Sequence, residues 1–349
     1  YQADESLHKV YSYVTDDYFG FLDNNEGLEI TSHKVDVGIG RFPVVTVKHA
    51  EDVVNKSIEY MNNKTKGNWK NQLTFVADDG DNSMHIGQAD SIAQTIFMSN
   101  PEFQLQKIYL DSYLQETSAS GDSYPLAKKR LQGLISSGSF MLNFTGHASA
   151  AGWTDEKILL TNDVNELFNK KLPIWIGATC DFVLFDSKDI SAGENVVLNP
   201  VGGGIGNFSA ARVVYAAQNE RINRYFSTDL FTRRDGKYPR LGDAVRRAKN
   251  TISTENNKMS YVLLGDPALR LNYPETYKVV TESINGITTQ SADTLKALSV
   301  NKVKGFVANQ NGSKATDFNG TIEITILDKI QRITTLNNHN EKNLLYLSH

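Results

Sequence analysis

Short apolar runs alternate with amphipathic helical stretches over roughly the first 275 residues, and no other feature constrains the fold of this 349-residue chain as strongly. Leu73 to Ala77 is an apolar run that stops at Asp78-Asp79-Gly80, which reads as a strand entering a turn. Ile92, Ala93, Ile96 and Phe97 follow at helical spacing. Lys107 to Leu110 reads as the next strand. Leu126, Ala127, Leu131, Leu134 and Ile135 give another helix, stopped by Gly138. Phe140 to Thr145 and Leu172 to Thr179 are strands, with a short helix at Val164 to Phe168 between them. Gly204 to Ala211 is a further strand, and helical patterns cover 218–232 and 240–253. Upstream, Val35 to Ile39 and Val44 to Val47 flank Gly40-Arg41-Phe42-Pro43, and Ala50 to Met61 is helical with Val53, Val54, Ile58 and Met61 on one face. Strands alternating with helices imply an α/β domain around a mostly parallel sheet, covered on both faces.

The pattern changes after Tyr273-Pro274. Asn285-Gly286, Asn311-Gly312 and Asn319-Gly320 read as turns, and Thr321 to Ile326 alternates as a half-buried strand does. A domain boundary is therefore expected near 275. Residues 276–349 are read as part of an all-β immunoglobulin-like sandwich, truncated because a whole one needs about 100 residues.

Composition excludes several functions. A net charge of −4 leaves no basic footprint for nucleic acid. No run of about 18 apolar residues is present to span a bilayer as a helix. The opening Tyr1-to-Asp17 stretch lacks the charged and apolar regions of a signal peptide, so the chain is expected to start inside a longer precursor. One cysteine, Cys180, rules out an internal disulfide and any multi-cysteine metal site.

In open parallel sheets, functional residues gather beyond the carboxyl ends of the strands. The strand ending at Thr145 runs into Gly146-His147-Ala148-Ser149, and the strand ending at Thr179 runs into Cys180-Asp181-Phe182. A single helix-length connection separates them, so a right-handed crossover makes them neighbours. His147 and Cys180 then share one sheet edge as a Cys–His dyad. A free thiol is largely protonated at neutral pH and needs an imidazole to take its proton or to stabilise the thiolate. The N–H groups of Cys180 and Ala148 are candidates for an oxyanion hole. Gly146 lets the chain turn at the strand end.

These segments resemble the gingipain family of caspase-like cysteine peptidases of Bacteroidetes. The resemblance lies in Thr145-Gly146-His147-Ala148-Ser149, in Cys180 behind its apolar strand, in Gly265-Asp266-Pro267-Ala268-Leu269, and in Ile39-Gly40-Arg41-Phe42, which matches the family's early strand. It implies a three-layer caspase-like domain over 1–275, with sub-domains of about 1–110 and 111–275, followed by a β-sandwich. It implies a cysteine endopeptidase working through an acyl-enzyme, with Cys180 as nucleophile and His147 as base. Within the family the chain is most similar to the signal peptidase of the type IX secretion system. That similarity implies partners that are secreted proteins with C-terminal sorting domains, other outer-membrane proteins of that system and a lipopolysaccharide acceptor. It also implies a location on the extracellular face of the outer membrane. A carboxylate assisting the histidine is expected after the Leu73–Ala77 strand. Asp78 and Asp79 both fit, and register favours Asp78. Ala148 stands where the family carries a second glycine. The aspartate that reads basic side chains in arginine-specific members falls near Asn82 or Ser83. By the same analogy, Ser209 to Tyr215 lines the substrate cleft, with Tyr215 as an aromatic wall; Arg212 reads equally as a partner for a substrate carboxylate or as an exposed surface arginine, and Trp153 follows the His147 loop closely enough in sequence to touch substrate.

The remaining features weigh less. His85 lies close enough to the Asp78 turn to line the cleft. Asp79, Asp81, Ser83 and Asp90 fall at positions 1, 3, 5 and 12 of a calcium-loop count, but Met84 replaces the required glycine, so an EF-hand is excluded. A looser calcium site is compatible with the cluster, since related peptidases bind stabilising calcium; the chemistry itself requires no cofactor. Gly202-Gly203-Gly204-Ile205-Gly206 follows Pro200 and leads into apolar residues, so it reads as a loop entering a strand, not a nucleotide fingerprint. Two rival readings remain: a catalytically inactive member that binds partners through the same cleft, and an unrelated α/β binding module with a buried cysteine.

Overall fold

The computed structural model describes residues 12–27, 30–119, 121–252, 255–274, 277–289, 295, 298–324, 326 and 329–348. It divides into two compact units, residues 1–272 with 328–349, and residues 273–327.

The first unit is built on a six-stranded sheet. Its order across the sheet is Tyr261–Leu264, Gly206–Ala210, Ile174–Ala178, Met141–Thr145, Gln72–Ala77, Gln104–Tyr109. Adjacent pairs run parallel except at the Tyr261–Leu264 edge, which is antiparallel. Three of the four inner strands, at 141–145, 174–178 and 206–210, are buried at every position, and their sequences accordingly carry no charged residue. Helices Met84–Ser99, Pro125–Ser137, Ala216–Leu230 and Leu241–Thr251 agree with the sequence pattern to within a turn, apart from an earlier start at Met84. Phe144, Trp153, Trp175 and Phe182 form the aromatic centre, with Phe144 and Trp153 stacked at 4.3 Å.

Three expectations change. Helix Val47–Met61 buries Val53, Lys56, Ser57 and Tyr60, while Val54, Ile58 and Met61 are exposed. The face is turned because Lys56 Nζ donates to the carbonyls of Val197, Asn199 and Gly202, supplying the end of helix Ala192–Leu198 with a donor, while burial lowers that amine to about 7. Lys56→Ala would strand those carbonyls and is expected to cost about 1–3 kcal/mol, read as a fall in urea midpoint at constant slope. Next, the early strand at Ile39 to Phe42 is reduced to one bridge, Arg41 to Leu264. Gly40 and Gly38 pack on Gly265 and Gly242 too closely for a side chain there.

The third change concerns the C-terminal 70 or so residues. Residues 331–334 and 345–348 form a hairpin that belongs to the first unit, not to the β module. Tyr346 meets Tyr109 edge-on at 4.7 Å, and Lys107 donates to Leu347 O, so the hairpin is fixed at the Gln104–Tyr109 edge strand. The second unit holds a three-stranded antiparallel sheet of Lys278–Ile284, Ile287–Thr288 and Val303–Ala308. The described residues of the alternating run 321–326 are in no strand, and Ile322, Ile324 and Ile326 are exposed. Alternation gives a strand only where a second sheet covers the apolar face.

Candidate active site

Parallel pairing of the 141–145 and 174–178 strands sets Thr145 opposite Ala178. His147 and Cys180 each lie two residues beyond that pair, and Gly146 N donates to Ala178 O at 3.2 Å. The fold therefore places an exposed imidazole and a half-buried thiol beyond the carboxyl ends of neighbouring strands. Cys180 Sγ lies 3.7 Å from Val214 O. Burial pushes the thiol above its ordinary range.

Thr154 N donates to His147 O, which makes Ala148 and Trp153 the non-hydrogen-bonded pair of their ladder and turns the Ala148 N–H outward.

The carboxylate on the imidazole is neither of the two expected. Asp81 Oδ2 lies 2.9 Å from His147 Nε2 and 3.1 Å from His85 Nε2, and the His147 bond holds Asp81 below the usual carboxylate range. His85 is buried under the site, its ring edge-on to His147 at 5.1 Å, and burial lowers its basicity. Asp78 instead accepts the backbone N–H of His147 at 2.8 Å and is raised well above a normal carboxyl by burial. It positions the histidine's peptide, not its ring. Asp79 turns away to Tyr124 Oη and to His339 Nε2, 2.6 Å distant. Asp81 lies in a left-handed turn ahead of helix Met84–Ser99, so no helical or strand spacing marked it.

Gly146 has a reason beyond turning. A Cβ there would lie 2.3 Å from Asp78 Cβ. Gly146→Ala is therefore expected to destabilise the protein by about 1–3 kcal/mol, measurable by chemical denaturation.

Several expected cleft residues are elsewhere. Ser209 is fully buried and donates to Gly177 O inside the sheet. Trp153 is fully buried in the aromatic centre, because its strand packs under the His147 loop. Arg212 is engaged by Asp186 through both terminal nitrogens, so its charge is already met. Tyr215 stays exposed beside Val214, whose carbonyl faces Cys180. The calcium count fails as one site: Asp79 faces His339, Asp81 faces the two histidines, Ser83 donates to Lys342 O, and Asp90 holds Lys107 and Tyr109.

Comparisons with known proteins bear on the family and the fold. Residues 1–272 match peptidase family C25. No curated protein sequence matches the chain. Among solved structures, the Arg-specific cysteine proteinase gingipain R is similar at 18% identity and a TM-score of 0.62, over 77% of this chain and 62% of that one. A complex of the Porphyromonas gingivalis RgpB pro- and mature domains is similar at 14% identity and 0.60, over 96% of this chain and 80% of that one. A structure described as a protease is similar at 15% and 0.54, over 97% and 79%. The chain thus spans 62% of the length of the gingipain R chain it matches.

Proposed function

The chain belongs to peptidase family C25, and from that premise we propose that it is a cysteine endopeptidase in which Cys180 attacks a peptide carbonyl. The observation that carries this reading is the Thr145–Ala178 register, which sets His147 and Cys180 at equal distances beyond neighbouring strands. His147 Nε2 is held by Asp81, leaving Nδ1 as the nitrogen that takes the thiol proton. Sγ then bonds to the carbonyl carbon, and the N–H groups of Cys180 and Ala148 receive the oxyanion. The imidazolium returns its proton to the amine as the C–N bond breaks. Water resolves the acyl-enzyme, or an amine acceptor does so in a transfer reaction.

The finer role follows from resemblance. The substrates are secreted proteins carrying C-terminal sorting domains, cut at the extracellular face of the outer membrane, as PorU does in type IX secretion, with transfer to lipopolysaccharide as the alternative fate of the acyl group. Other outer-membrane proteins of that system are its partners. No helix among the described residues is long and apolar enough to cross a membrane. Specificity for arginine is not expected, because Asn82 and Ser83 carry no charge for a guanidinium and both are engaged with Glu341 and Lys342.

The test is digestion of a cargo protein ending in a sorting domain, with cleavage sites read by mass spectrometry and Cys180→Ala as control. Cleavage before the sorting domain, without an arginine requirement and absent in the control, is the expected result. Cleavage confined to sites after arginine would contradict the specificity. One observation favours a second reading, an inactive member: the thiol faces Val214 O and its burial opposes ionisation. Equal inertness of wild type and Cys180→Ala would establish that reading instead.

A further inference from the structure

The turn that carries Asp81 holds an uncommon shape on two local backbone bonds, Ser83 N to Gly80 O at 2.9 Å and Met84 N to Asp81 O. Gly80, Asp81, Asn82 and Ser83 follow one another at φ of 71°, 46°, 54° and 59°. Three of them have side chains, for which this left-handed region is sterically disfavoured. Such a run persists only where its surroundings fix it. Ser83 precedes helix Met84–Ser99 without capping it through its own side chain.

Further fixing groups come from the far end of the chain. Glu341 Oε2 accepts the Asn82 N–H at 2.6 Å, and Lys342 O accepts the Ser83 hydroxyl at 2.5 Å. A carboxylate here also meets the positive end of the helix that follows. The loop bearing these groups is itself held. Asn337 and Asn338 donate their backbone N–H groups to the Asp111 carboxylate at 3.0 and 2.7 Å, and His339 meets Asp79. Glu341 N donates to Asn337 Oδ1 at 2.7 Å. Two consecutive residues of the turn are thus bound on one side, while Asp81, just before them, reaches His147 on the other.

We infer that Glu341 is a positioning residue for the peptidase reaction: it holds the Asn82 peptide so that the Asp81 carboxylate stays on the His147 imidazole. The inference rests on the role given to His147 above. It makes the 331–348 hairpin part of the catalytic apparatus, although no residue of that hairpin touches the thiol.

The experiment uses the full chain and a quenched fluorescent peptide chosen from sites the wild type cuts. Glu341→Ala is expected to lower kcat about 10-fold with KM unchanged, a loss of alignment and not of binding. Glu341→Gln, which keeps an acceptor oxygen, is expected to recover most of it. In an Asp81→Ala background, Glu341→Ala is expected to add nothing, because it acts through that carboxylate. Wild-type kcat in Glu341→Ala, or losses that multiply in the double variant, would overturn the inference while leaving the peptidase reading intact. Equal inertness of wild type and Cys180→Ala would overturn both.

Discussion

Replacing His147 by alanine is expected to lower peptide hydrolysis about 1000-fold or more, with the fold unchanged. The imidazole side chain is 63% exposed and its one hydrogen bond is to Asp81, so its removal leaves no buried group unpaired. What disappears is chemistry. Burial raises the Cys180 thiol, so without a proton acceptor the thiolate is scarce at neutral pH. The departing amine also loses its proton donor. Asp81→Ala keeps the ring but removes the group that fixes its Nε2 side, and a smaller loss of about 10- to 100-fold is expected. Asp78→Asn should act differently again, since the amide oxygen can still accept the His147 N–H. Steady-state kinetics on the three variants would rank them in that order. A His147→Ala enzyme as active as the Asp81→Ala enzyme would remove the imidazole from the mechanism.

The second large effect is on stability and lies outside the site. Lys249 Nζ sits 2.6 and 2.8 Å from the two Asp17 oxygens and also donates to Tyr261 O. Both side chains are nearly inaccessible, at 2% and 5%. This pair joins the N-terminal segment to helix Leu241–Thr251 and to the antiparallel edge strand. Lys249→Ala leaves a buried carboxylate without its cation, and a loss of about 3–5 kcal/mol is expected, measured by denaturant unfolding at pH 7. Burial already raises Asp17 above its unfolded value of 3.8. A folded carboxyl pKa above the unfolded one means that the folded state holds more protons in that window, so stability falls as pH rises through it. Without Lys249 the shift grows. The deficit of the variant should therefore narrow as pH is lowered from 7 towards 5. A deficit of under 1 kcal/mol at pH 7, or one that widens on acidification, would contradict this account of the pair.

The sheet was legible because the inner strands are covered on both faces and write short, mostly apolar runs without charge, as Ile174 to Ala178 does. The positions of His147 and Cys180 followed from two such runs and the handedness of their crossover. The carboxylate partner was harder. Register along the Gln72–Ala77 strand points to Asp78, but Asp81, Asn82 and Ser83 adopt left-handed conformations beyond it, and that turn carries Asp81 to the imidazole. No periodicity encodes such a turn. Trp153 was misplaced because proximity in sequence to the site does not state which face a side chain takes, and Ser209 because a family analogy over a segment does not state it either. The 331–348 hairpin was assigned to the β module on its pattern alone, since its partners, Tyr109, Asp111 and Asp79, lie more than 200 residues away. Lys56 shows the reverse case: a lysine on a helix reads as solvent-facing until three carbonyls from another element converge on it.

The central claim is that His147 activates Cys180, and alkylation of the native protein by an iodoacetamide probe tests it most directly. Labelling would be followed from pH 4 to 9 on wild type and on His147→Ala. The account predicts wild-type labelling that persists well below the free-thiol range, and variant labelling that rises only above that range, where burial places the lone thiol. Superimposable profiles for the two proteins would show that the imidazole does not act on Cys180 and would contradict the dyad.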